Sequence, residues 1–260
     1  MIRKLLESLH FSGAILALVT VLLVLSMDVH FEHNLEYSFF IFFSILAIYG
    51  IHRLIKFYLN NLNAKHYYWI RSVKNVYIIF TFISFIIALY LFFEFWYFDK
   101  NDLLIYSALI LTCLYIIPYN RFSIRQIPRF KAIVISLVWS ILIYYWPMIS
   151  MANVLLFFAY FFYYLHLSIV SDIKDLKIDP FRLKTTPMEW GVLKTYIFSF
   201  LFLTVSFVLF LMHLKSSITI GFFLIHVILL LFLHFSKKGL HRFYDYSMFV
   251  LALHNFLLWE

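Results

Sequence analysis

The chain is poor in most of what a soluble protein needs. Only 13% of its 260 residues are charged, against roughly 25% in soluble globular domains. Glycine and proline number five each, so few positions break a helix and long uninterrupted helices are favoured. The single cysteine, Cys113, lies inside an apolar segment. It excludes an intramolecular disulfide and any thiolate metal cluster, and it reads as a small packing residue. Acids are scarce, thirteen in all, and none lies between Tyr37 and Glu94.

What is abundant is apolar surface: 64% of the residues are hydrophobic. Segments of roughly membrane-spanning length fall at Leu9–Met27, Tyr37–Ile51, Val76–Phe98, Leu103–Pro118, Ala132–Trp146, Ala152–Val170, Val192–His213, Ile218–Phe235 and Phe243–Trp259. They predict an all-α polytopic membrane protein of nine transmembrane helices, forming one domain over residues 1–260. No small-residue cleavage site follows the first segment, which therefore reads as an anchor and not as a signal peptide.

The basic residues give an orientation. With the N-terminus inside, the inner segments hold Arg3 and Lys4; Arg53, Lys56, Lys65, Arg71 and Lys74; Arg121, Arg125, Arg129 and Lys131; Lys174, Lys177, Arg182, Lys184 and Lys194; and Lys237, Lys238 and Arg242. Only Lys100 and Lys215 fall outside. The positive-inside rule thus puts the N-terminus in and the C-terminus out. The net charge of +8 belongs to topology and not to nucleic-acid binding. The pattern fits a bacterial inner membrane. The connections after the second and sixth segments are the longest inside loops, and such connections tend to carry function.

Three groups of residues could carry chemistry. The first is Asp172-Ile-Lys-Asp175-Leu-Lys-Ile-Asp179, directly after an apolar segment. On a helix the three carboxylates share one face, and they repel unless something positive lies between them. A divalent cation with oxygen ligands, such as Mg²⁺ with a phosphate, is one solution. A solvated loop with Lys174 and Lys177 pairing locally is the other. The second group, Tyr49, His52, Arg53 and Lys56, makes one polar stripe at the inner end of the second segment. It reads as a wall for an anionic head group, or as an interfacial anchor whose cations snorkel to lipid phosphates. The third is Tyr115-Ile-Ile-Pro118-Tyr-Asn-Arg121, followed by Lys131, whose charges also suit an ordinary inside loop. Other histidines, His166, His226 and His254 among them, are scattered without ligand spacing.

Together these features resemble the UbiA superfamily of intramembrane prenyltransferases. Nine helices with the N-terminus inside is that superfamily's architecture. The aspartate run, continuing to Thr186-Pro187 and Gly191, resembles its second aspartate-rich motif. Tyr115-x-x-Pro118-x-x-Arg121 and Lys131 resemble its Tyr-x-x-Pro stretch. The resemblance implies transfer of an isoprenyl group from an isoprenyl diphosphate to a membrane-soluble acceptor, with Mg²⁺ as cofactor. Asp172, Asp175 and Asp179 would be the catalytic metal ligands. Tyr49, His52, Arg53, Lys56, Tyr115, Arg121 and Lys131 would bind the substrate. The family's first motif, Asn-Asp-x-x-Asp, is absent: that region reads Tyr49-Gly-Ile-His-Arg-Leu-Ile-Lys56. Either Arg53 and Lys56 replace one metal cluster with fixed cations, or catalysis is lost and an isoprenoid-binding or scaffolding shell remains. A transporter is less favoured, because no duplicated half is visible.

Overall fold

The computed structural model describes residues 8–9, 11–26, 34–59, 62, 64–95, 103–116, 127, 130–145, 153–176, 185–214, 217–235 and 243–259. Among the described residues all regular structure is helical. The helices are α1 (Ala14–Ser26), α2 (Asn34–Tyr58), α3 (Ala64–Phe95), α4 (Leu103–Ile116), α5 (Phe130–Ser140, continued by a π-helical turn, Ile141–Tyr145), α6 (Val154–Asp175), α7 (Thr186–Trp190), α8 (Val192–Leu214), α9 (Ser217–Phe235) and α10 (Phe243–Trp259). Leu35–Tyr58, His66–Glu94, Val154–Ile173 and Val192–His213 are long and apolar enough to cross a membrane. Four further apolar helices are shorter. By length and composition this is a helical membrane protein.

The expected long loop after the second segment is mostly helix. Residues 52–58 contain neither glycine nor proline, so nothing stops α2 before Tyr58, and α3 starts at Ala64. Helix α6 likewise runs on through Asp175.

By their internal contacts the residues group into two compact units: Met1–Leu25 with His30–Asp99, and Ser26–Val29 with Lys100–Glu260. In the first unit α2 packs along α3. The two helices come close together at Gly50. A Cβ there would overlap Thr81 Oγ1 and Cγ2 and lie 2.9 Å from its Cβ. Glycine is needed because a backbone must approach a side chain, the small-residue logic of helix pairs in lipid. Helix α3 bends at Val73 (φ −122°, ψ 18°). Ser72 Oγ donates to Trp69 O at 2.7 Å, the carbonyl that the Val73 N–H would use in a straight helix. Such back-bonding by serine bends helices without proline.

In the second unit α6 is the hub, packed against α5, α7, α8 and α10. Asn153 caps its start, accepting from the Leu155 N–H at 2.8 Å. At the other end of the connection, Gly191 (φ 77°) separates α7 from α8. Hydroxyls inside the helices bond their own backbone one turn back: Thr20 to Leu16, Ser84 to Phe80, Thr112 to Ala108, Ser136 to Ala132 and Ser140 to Ser136. With no water at hand, this local bond is the cheapest satisfaction open to them.

The Gly50 crossing gives a test. Gly50→Ala should destabilise the protein by about 1–3 kcal/mol through overpacking. Adding Thr81→Ala should recover part of that loss. Thermal melts in detergent read both; an unchanged melting temperature in Gly50→Ala would refute the close crossing.

Candidate functional site

The predicted cation site and the predicted substrate lysine meet. Leu165, Ile169 and Asp172 lie at i, i+4, i+7 on α6, so one strip of that helix faces the start of α5. Leu165 and Ile169 pack on Ala132 in a small core with Phe161, Phe162 and Phe202 around it. Just beyond that core, the Lys131 ammonium donates to Asp172 Oδ1. Asp172 is 2% exposed and Lys131 11%, so each charge depends on the other. An isolated carboxylate at that depth would be prohibitively costly.

Asp175 follows on the last turn of α6, but its side chain, like the whole of Asp179, Pro118 and Arg121, lies outside the described residues. Tyr115 sits part-buried on the last turn of α4, which packs on α5. Among the described residues no three His, Cys, Asp or Glu side chains gather as a metal set. Asp172 is the only one of the three predicted Mg²⁺ ligands whose side chain is described, and an ammonium occupies its carboxylate. That donor set does not fit a divalent ion while Lys131 holds it.

The stripe of Tyr49, His52, Arg53 and Lys56 belongs to the first unit. All four are part-buried on α2. The Arg53 guanidinium sits 5.4 Å from the centre of the Tyr49 ring, and the buried Tyr77 of α3 lies within its electrostatic reach. Lys74, which the spacing argument did not include, joins from α3: its Nζ is 5.0 Å from the Tyr58 ring and 5.9 Å from Phe57. Phe57 in turn stacks on Tyr67 at 5.0 Å.

A third group is absent from the sequence reading. Helix α6 carries Tyr160, Tyr163 and His166 at three-residue spacing, and α9 and α10 bring His226, His254 and Asn255 to it. All six are 3% exposed or less. Tyr160 donates to Asn255 Oδ1 at 3.1 Å. His254 contacts Asn255 Oδ1 and Thr219 Oγ1, each at 3.3 Å. His166 Nδ1 is 2.7 Å from Ser199 Oγ on α8. The Phe222 ring lies 4.4 Å from both the His226 and the His254 rings. The Tyr163 hydroxyl is 2.7 Å from His226 Nε2 and also 2.7 Å from Ser247 O. His226 Nδ1 faces Phe222 O at 3.0 Å and so carries the proton, which leaves Nε2 as an acceptor. One phenolic proton therefore serves two acceptors in turn. The available signal was depth: an ionisable residue inside an apolar segment must find a partner within the bundle.

No family model matches the chain, and no curated protein or solved structure matches it.

Two outcomes follow from these contacts. Lys131→Met alone should cost about 3–5 kcal/mol by stranding the Asp172 charge, whereas Lys131→Met with Asp172→Leu should recover most of it. Equal losses in the single and double variants would mean that the pair is not coupled. Tyr163→Phe should cost about 1–3 kcal/mol, because it leaves the buried His226 Nε2 without its donor. Both are read by melting in detergent, and the second idea fails if Tyr163→Phe melts like the wild type.

Proposed function

We propose that the chain is an intramembrane prenyltransferase of nine transmembrane helices, N-terminus inside and C-terminus outside, in a bacterial inner membrane. The observation that supports this is the meeting of Lys131 and Asp172. Forty-one residues separate them, and they come from the two stretches whose motifs resemble the diphosphate end of that superfamily. Lys131 brings three N–H donors on a point charge, and Asp172 fixes where that charge sits. An isoprenyl diphosphate bound there loses its allylic C–O bond, and the electron pair leaves with the diphosphate. The fixed ammonium stabilises the charge that develops on the leaving oxygen. A nucleophilic atom of the acceptor then forms the new bond to the allylic carbon, and the proton it gives up passes to the released diphosphate. The apolar bundle keeps water from the allylic cation. Asp175 and Asp179 follow Asp172 in the sequence and belong to the same motif in this reading.

A second reading is a non-catalytic protein that binds an isoprenoid or scaffolds a partner. The same pair favours it, since Asp172 is already neutralised within the fold and needs no metal.

Titrating geranylgeranyl diphosphate into the purified protein, with and without Mg²⁺, tests for the diphosphate site, and release of diphosphate on adding an acceptor separates the enzyme from a non-catalytic isoprenoid binder. A ligand that binds only the folded state adds about 2.7 kcal/mol of stability at a hundred times its Kd. The prenyltransferase reading expects a rise in melting temperature that the Lys131→Met, Asp172→Leu double variant loses. No rise with any prenyl chain length leaves the scaffold reading.

A further inference from the structure

We infer that His166 Nε2 is the acceptor in a buried binding site for a neutral O–H group, on the face of α6 that meets α8, α9 and α10. The tautomer follows from the other ring nitrogen. Nδ1 lies 3.1 Å from Ser199 O and 2.7 Å from Ser199 Oγ. A carbonyl oxygen only accepts, so the ring proton sits on Nδ1. The Ser199 hydroxyl has an acceptor of its own in His166 O, at 3.5 Å. Nε2 therefore carries a bare lone pair, and it is buried with no hydrogen-bond partner among the described residues.

The neighbouring protons are already committed. Tyr163, one turn back with its ring 6.5 Å from the His166 ring, shares its proton between His226 Nε2 and Ser247 O. The His226 ring proton goes to Phe222 O. Ser247 Oγ is a second buried atom of this tyrosine–histidine seam without a partner among the described residues. An O–H group both donates and accepts, so it suits a lone pair and a hydroxyl alike. Tyr163, His166, Ser199, His226 and Ser247 are all 0% exposed, which limits the polar part of the guest to the size of one hydroxyl. A neutral guest also brings no charge into an apolar bundle. A lone pair left dry forfeits the whole hydration of the imidazole, and polar interior corners answer this by holding an O–H group of their own. Two sources supply that chemistry: an internal water, and the hydroxyl of a membrane-soluble alcohol lying between the helices.

This site does not depend on the prenyl-transfer reading. The test is nitrogen NMR of the full chain in neutral detergent, with ¹⁵N in the histidine rings. An unprotonated imidazole nitrogen resonates farthest downfield when bare and moves upfield when it accepts a hydrogen bond. The His166 signals are those lost in His166→Gln. If that variant does not fold, Ser199→Ala marks the ring instead, by moving its Nδ1 signal. The expected result is a proton on Nδ1 and an upfield, hydrogen-bonded Nε2. An upfield Nε2 in protein without added alcohol, unmoved by geranylgeraniol, identifies the occupant as water. An Nε2 signal that geranylgeraniol moves upfield, and that its methyl ether (which has no O–H) leaves in place, identifies it as the alcohol. A bare Nε2 under all these conditions overturns the proposal. So does a proton on Nε2, which would make that nitrogen a donor and the site one for an acceptor.

Discussion

Every polar group in an apolar helix bundle has to find its partner inside the protein, and most of the described structure follows from that constraint. The smallest groups solve it locally: Ser and Thr hydroxyls bond the carbonyl one turn back. The same solution at Ser72 takes up the Trp69 carbonyl and bends α3. Larger groups solve it between helices. Lys131 and Asp172 neutralise each other, and the tyrosine hydroxyls of α6 reach α9 and α10. Helix α6, the hub, carries Tyr160, Tyr163, His166 and Asp172, each of which finds a partner on another helix.

The two kinds of polar site differ in what they ask of their surroundings. The Lys131–Asp172 pair and the tyrosine–histidine seam match most of their donors and acceptors within the second unit, while His166 Nε2 and Ser247 Oγ are buried there with no hydrogen-bond partner among the described residues. In the first unit Arg53 and Lys74 lie over the Tyr49, Tyr58 and Phe57 rings. Asp172 fixes where the Lys131 charge sits, and aromatic faces fix where the Arg53 and Lys74 charges sit.

The helical class was legible in the sequence because composition and periodicity are local properties. Each apolar segment carries a helix, and the i, i+3, i+4, i+7 stripe of Tyr49, His52, Arg53 and Lys56 lies on one. The helix ends were less legible. A basic, glycine-free stretch looks like a loop by charge and like a helix by propensity, and at residues 52–58 propensity prevailed. Lys131 and Asp172 were each named as candidates, but their pairing was not visible, since nothing in the spacing of residues 41 apart encodes a contact. The seam was missed for the same reason. His226 and His254 lie on separate helices, and a search for ligand spacing along one helix passes over groups that meet only across several.

Five residues separate the end of α2 from the start of α3, and the two helices close on each other at Gly50 and Thr81. Such a hairpin is complete within a short stretch of nascent chain. Its second arm emerges from the ribosome while the first is still at the insertion machinery, so the two can enter the bilayer as a pair. For this protein the order of biogenesis is built into the hairpin: the first unit can be membrane-embedded before α6, and with it the Lys131–Asp172 pair, has been made.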